Sequence, residues 1–171
     1  DDGPFAAISA GEAFSVGILR DGRVLAWGLN ASGQAQAPAG LPRLKDLDCG
    51  DHFVVAATAD GGAIGWGYNT YGQCDVPAGL SEVVQVAAGS VHSLALRADG
   101  SIVGWGSNSR GQCVPPDGMG PALQIAAENY HSVALTWDGT VVGWGWNTYG
   151  QLTIPPDLFQ ADQVDTGTFH V

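Results

Sequence analysis

A chain of 171 residues suits one globular domain. Its 26 glycines, 45% apolar residues and only 13% charged residues, against a usual ~25%, exclude a long-helix protein and a disordered one, and no apolar run of about 18 residues is present to span a bilayer. Six Lys+Arg against 17 Asp+Glu give a net charge of −11, which repels phosphate backbones and anionic membrane surfaces, so no nucleic-acid partner and no membrane insertion are expected. What remains is a soluble, Gly-punctuated, β-rich chain.

Read in chain order, the sequence is one unit of 39 residues repeated. The first, 1–39, carries Asp21-Gly22, Trp27-Gly28, Asn30, Gly33-Gln34 and Pro38; the second, 40–78, carries Asp60-Gly61, Trp66-Gly67, Asn69, Gly72-Gln73 and Pro77. The third unit, 79–117, shows the internal pattern most plainly. Short apolar runs separated by turn residues predict strand A at Gln85–Ala88, B at Ser93–Leu96, C at Ser101–Gly106 and D at Gln112–Val114, the last stopped by Pro115-Pro116. Asp99-Gly100 is a hairpin signal between B and C, and Asn108-x-x-Gly111-Gln112 supplies a longer turn between C and D. The fourth unit, 118–156, repeats these elements at Asp138-Gly139, Trp144-Gly145, Asn147 and Gly150-Gln151. A partial fifth, 157–171, repeats the opening; its Gly167 stands where Gly11, Gly50 and Gly89 stand, a position held by Glu128 in the fourth unit. Four-stranded meanders of about 40 residues in tandem predict an all-β fold, a β-propeller of four-stranded antiparallel blades with about four blades present; a β-solenoid is the structural alternative.

The elements His92-Ser93-Leu94-Ala95-Leu96, Asp99-Gly100, Trp105-Gly106, Asn108, Gly111-Gln112 and Pro116 together resemble the repeat of the regulator-of-chromosome-condensation family, in its short bacterial version. A secreted, propeller-type β-lactamase inhibitor protein is built on a similar repeat. The resemblance implies a propeller, typically of seven blades, of which this chain would be an arc or a part, and it points to an extracellular or cell-surface protein. It does not imply one function, because a fold hosts many.

Where function lies follows from strand parity: in an up-and-down meander the A–B and C–D loops open on one face and the B–C turns on the other. The B–C turn is Asp-Gly in all four units, whereas the A–B and C–D tips vary from copy to copy. Tyr68, Tyr71, Arg110, Tyr130, Trp146 and Tyr149 are among these variants, and aromatics and Arg are the types enriched in binding hot spots. They are the candidate binding residues of a non-catalytic module with a protein partner. The alternatives are an assembly-forming repeat protein, through self-association or completion of the ring, and an inhibitor of a secreted enzyme. No nucleophile–base pair or metal-ligand spacing is visible, so no catalytic residue, cofactor or metal is expected. His92, His131 and His170 share a position filled by Phe14 and Phe53, which predicts packing with a ring nitrogen bonded to backbone. Trp27, Trp66, Trp105 and Trp144 are expected to fill the wedge between blades, the four Asp-Gly aspartates to shape turns, Cys74 and Cys113 to be free thiols, and Cys49, standing where Ala10, Ala88 and Ala127 stand, to fill a small buried site.

Overall fold

A computed structural model describes residues 4–155, 158, 161–168 and 170–171. The expected A–B tip residue Phe169 lies outside the described residues, as do Pro156 and Asp157 at the boundary between the fourth and fifth units. The first unit forms β1 (Phe5–Ala10), β2 (Phe14–Leu19) and β3 (Val24–Gly28), and the second β4 (Leu44–Cys49), β5 (Phe53–Thr58) and β6 (Ala63–Gly67). The third forms β7 (Val83–Ala88), β8 (His92–Arg97) and β9 (Ile102–Gly106), and the fourth β10 (Ala122–Glu128), β11 (His131–Thr136) and β12 (Val141–Gly145). No helix occurs among the described residues.

Each unit is one antiparallel sheet, β1-β2-β3 and so on through β10-β11-β12, so each Trp-Gly closes a strand C as predicted. Register is the same in every blade: Ser93 pairs with Trp105 in the third, Ser132 with Trp144 in the fourth. The Asp-Gly turns form as expected, the aspartate carboxylate accepting the amide two residues on, as in Ser101 N–H to Asp99 at 2.9 Å.

The D segment departs from expectation. It is laid alongside strand C as a series of turns instead of pairing as a fourth strand, so the sheets are three-stranded. Its backbone groups are already engaged elsewhere. The Cys113 amide donates to Asn108 Oδ1 (2.9 Å), and the Gln112 carbonyl accepts from Ser132 Oγ and Trp144 Nε1 of the next blade, both at 2.8 Å. In blade 3 the segment also crosses strand C at Gly104, where a Cβ would lie 2.3 Å from the Cys113 carbonyl oxygen.

Neighbouring blades pack face to face. Phe14, Val16 and Ile18 of blade 1 bury against Leu47, Val54, Ala56 and Trp66 of blade 2, and equivalent clusters join blade 2 to 3 and 3 to 4. Fully burying each Val, Leu or Phe contributes about 1.5–3 kcal/mol, so the seams carry the core. The A strands β1, β4, β7 and β10 line a common axial cavity and are tied side chain to backbone. The Ser9 hydroxyl accepts the Cys49 amide, Asp46 the Val86 amide, Asp48 the Ala88 amide, and Gln85 both accepts from Ile125 N–H and donates to Ile125 C=O.

Candidate functional site

The variable tips stand on a loop frame that is the same in all four blades. Asn30, Asn69, Asn108 and Asn147 accept, through Oδ1, the amide five residues on, at 2.8–3.0 Å. Gln34, Gln73, Gln112 and Gln151, all buried, accept through Oε1 the amide two residues back, that of Ser32, Tyr71, Arg110 and Tyr149. The glutamine carbonyls of the first three blades then receive the indole N–H of Trp66, Trp105 and Trp144 from the next blade, at 2.8–3.1 Å. The first residue of each C–D tip donates its amide to the A–B tip of its own blade, as Tyr68 to His52 and Trp146 to Tyr130, both 2.9 Å. Gly106 makes that junction: its φ is +94°, and a Cβ there would lie 2.8 Å from Val91 O and 3.1 Å from Gln73 Cα of the preceding blade. The Asn and Gln side chains thus pin the loop backbone, and the residues between Asn and Gly-Gln stand at the exposed tip.

On blades 2 and 4, rings from the C–D and A–B tips gather into two aromatic clusters. On blade 2, Tyr68 packs edge-on against Tyr71 (ring centroids 6.3 Å apart) and against His52 (6.5 Å, 87°). On blade 4, Trp146 packs edge-on against Tyr130 (6.3 Å, 86°) and Tyr149 (5.2 Å, 78°). Edge-to-face pairs of this kind add about 0.5–1.5 kcal/mol beyond area burial, which holds the tips in place. Tyr71 is 53% and Tyr149 68% exposed, so the clusters remain open to solvent. Arg110 is exposed on blade 3, between the clusters, and is brought into neither. His52 was not among the sequence candidates although it varies at an A–B tip; it also faces Glu12 of blade 1 at 3.3 Å, an ion pair when the imidazole is protonated. Blade 4 differs at its A–B corner. Glu128 replaces the usual Gly, β10 extends to pair Glu128 with His131, and a two-residue turn with Asn129 at φ +46° carries Tyr130.

Residues 5–34, 44–73, 83–112 and 123–151 each match the regulator of chromosome condensation (RCC1) repeat. The chain belongs to the RCC1 repeat family. Each match spans the A strand through the Gln of the C–D loop, so the frame described above is the family's unit. No curated protein matches the chain significantly. Among solved structures, yeast RCC1 (Prp20) bound to Kap60 superposes with a TM-score of 0.76 at 21% identity, over 92% of this chain and 47% of that one. Prp20p from Saccharomyces cerevisiae, in a structure described together with its binding to Gsp1p and histones, gives 0.75 at 21% identity over 92% and 49%. The ectodomain of the receptor kinase CR4 from Physcomitrella patens gives 0.77 at 24% identity over 90% and 45%. The likeness is one of fold, and this RCC1-repeat chain spans about half the length of those structures.

Burial pushes Asp48 up to about 6, although it accepts from Ala88 N–H, Ser9 Oγ–H and Cys49 N–H, and burial likewise raises Asp46. Glu128, at the axial mouth, is raised by burial and then by the charge of Asp51. His92 is fully buried and driven down to about 3 by desolvation and then by His131; its Nε2 meets the Ser132 hydroxyl at 2.9 Å, a side-chain partner where backbone was expected. Trp66, Trp105 and Trp144 fill the seams as predicted, whereas Trp27 is 45% exposed. Trp137, on the opposite face, is 59% exposed with its indole N–H on Ala122 O. All three cysteines are free, and burial raises Cys49 and Cys74 to about 12 and Cys113 to about 11. No group of three or more metal-ligating side chains occurs among the described residues.

Proposed function

We propose that this arc of RCC1 repeats is a non-catalytic protein-binding module, and that its partner seats on the A–B/C–D face. Tyr68, Tyr71, Tyr130, Trp146 and Tyr149 are the anchors, with Arg110 as the basic contact between them. The supporting observation is the pair of solvent-open aromatic clusters held on loops whose backbones are pinned by the repeated Asn and Gln side chains. Rigid aromatics bury large areas at small entropic cost, and loops fixed before binding lose little more on binding. The acidic balance of the chain selects against nucleic acid and for a partner surface that is neutral or basic.

The test is comparative capture. The native chain and the Trp146→Ala/Tyr149→Ala/Tyr71→Ala variant are immobilised, and the proteins each retains are compared, with Trp137→Ala as the control on the opposite face. A partner kept by the native chain and by Trp137→Ala but lost by the triple variant supports the proposal. Capture unchanged by the triple variant overturns it and moves the site to the face around Trp137.

A further inference from the structure

On the B–C face, the seam between blades 1 and 2 is open where the next two seams are shut. In those two, the turn glycine of one blade accepts the first A-strand amide of the following blade, Val83 N–H to Gly61 O and Ala122 N–H to Gly100 O, both at 2.9 Å. Turn and connector touch there: a Cβ on Gly61 would lie 3.3 Å from Glu82 N, and one on Gly100 would lie 2.5 Å from Pro121 Cβ. Leu44 and Gly22 form no such bond, and a Cβ on Gly22 would meet nothing within 4 Å. The turn of blade 1 therefore stands off from the connector 37–43, and between them lies a cavity of about 480 Å³.

The lining of this cavity sets it apart. Val24, Ala37 and Leu41, which pack on the seam core, give it an apolar wall. Arg23 and Arg43 stand exposed beside that wall, at positions held in the other blades by Gly62, Ser101 and Thr140 and by Glu82 and Pro121. Asp21 also lines the cavity, but its carboxylate is already answered, accepting Arg23 N–H at 3.0 Å and Arg23 Nε–H at 2.8 Å. This holds the Arg23 guanidinium in place and leaves its terminal nitrogens unpaired, while Arg43 has no side-chain partner among the described residues. Arg20 and Lys45 lie on the same face of the same two blades, so four of the six Lys and Arg of a chain with net charge −11 gather at one seam. Cations concentrated against the overall charge, beside an apolar wall, select an anion with an apolar body.

We propose that this cavity binds a small organic carboxylate, its charge held by Arg23 and Arg43 and its hydrocarbon laid on Val24, Ala37 and Leu41. Guanidinium groups suit the task because their planar N–H forks match a carboxylate. The site is on the face opposite the aromatic clusters, so its occupation and the capture of a protein partner are tested separately.

Octanoate is the probe, titrated into the isotope-labelled full chain and followed by amide NMR. It is expected to shift the amides of Gly22, Arg23, Leu41 and Arg43 saturably, with a Kd on the order of 1 mM or tighter. Acetate, which keeps the carboxylate and lacks the hydrocarbon, is expected to bind about tenfold more weakly or worse. Octylammonium is expected to leave the same amides unmoved. Arg43→Glu and Arg23→Ser each install the residue that the third unit carries at that position, so the fold is kept, and each is expected to weaken octanoate about tenfold or more. Arg97→Thr, on the same face but outside the cavity, takes the residue of the second and fourth units and is expected to change nothing. The absence of saturable shifts at these amides overturns the proposal. So does octanoate binding indifferent to both arginine substitutions, octylammonium binding as well as octanoate, or an oligoglutamate peptide preferred to octanoate, which would make the occupant an acidic segment of a protein.

Discussion

Trp144 and Trp146 are two residues apart, yet they belong to different regions with different physics. Trp144 lies in a seam between blades, 6% exposed, its indole N–H fixed on the Gln112 carbonyl. Trp146 stands at a tip, half-buried among Tyr130 and Tyr149. The seam tryptophans repeat because each answers to a Gln carbonyl of the neighbouring blade, whereas the tip rings pack against other tip residues. A repeat protein can thus vary its surface without disturbing its core, provided that loop backbones are pinned by side chains that do not vary.

The largest effect that tests this division is at the seam. Trp105→Ala opens a cavity between blades 2 and 3 and strands the Gln73 carbonyl with one donor fewer, so it is expected to cost roughly 3–5 kcal/mol of unfolding free energy in a denaturant titration. Next is the tip. Trp146→Ala is expected to cost about 2 kcal/mol or more in affinity for a captured partner, while lowering unfolding free energy by only about 1 kcal/mol. A Trp146→Ala protein as unstable as Trp105→Ala would show that the tips are part of the core.

A third test stays within the seam and uses a substitution the molecule itself contains. Phe14 and Phe53 occupy the place of His92, and the ring fits each site alike: a Cβ on the facing glycine would lie 2.2 Å from Phe53 Cε1 and 2.3 Å from His92 Cε1. Burial holds the folded His92 at about 3 against an ordinary 6.5. As pH falls below 6.5 the unfolded chain binds a proton that the folded one refuses, so stability is lost progressively down to about pH 3. His92→Phe removes this loss, and at pH 5 it is expected to recover about 2 kcal/mol relative to its effect at pH 7. Asp48 acts in the opposite sense, since its raised carboxyl takes up a proton in the fold before it does in the unfolded chain and so gains stability as pH falls from 6 toward 4. The comparison is therefore made between His92→Phe and the native chain at both pH values, by denaturant midpoint. The smallest effect belongs to Trp27→Ala, expected at about 1 kcal/mol because the residue is already 45% exposed. A cost equal to that of Trp105→Ala would erase the difference between the open face and the closed seams.

Most of this was legible in the sequence because the repeat gives four readings of each position. Strand C ending in Trp-Gly, the Asp-Gly turns and the segregation of variable residues to one face all followed from phase and alternation. The D strand was misjudged at Gln112–Val114. Its apolar alternation looks like a strand, but whether a segment joins a ladder depends on who takes its amides and carbonyls, and here Asn108 and the next blade take them. Among the tip candidates, the sequence marked Trp146, Tyr130, Tyr68 and Tyr71 as variable loop residues, while their edge-on pairing, the recruitment of His52 and the placing of Arg110 outside both clusters came only with the tertiary structure.

By itself, then, the sequence determined the unit, its strands and turns, and which residues are free to vary, because period-two alternation and turn chemistry are local and act within a few residues. Only the tertiary structure decided which tips touch, which tryptophan is left open and which carbonyl each indole finds. The contacts between blades join residues some 32 to 40 positions apart, across seams whose geometry comes from packing one blade on the next, and the tip contacts join separate loops of one blade.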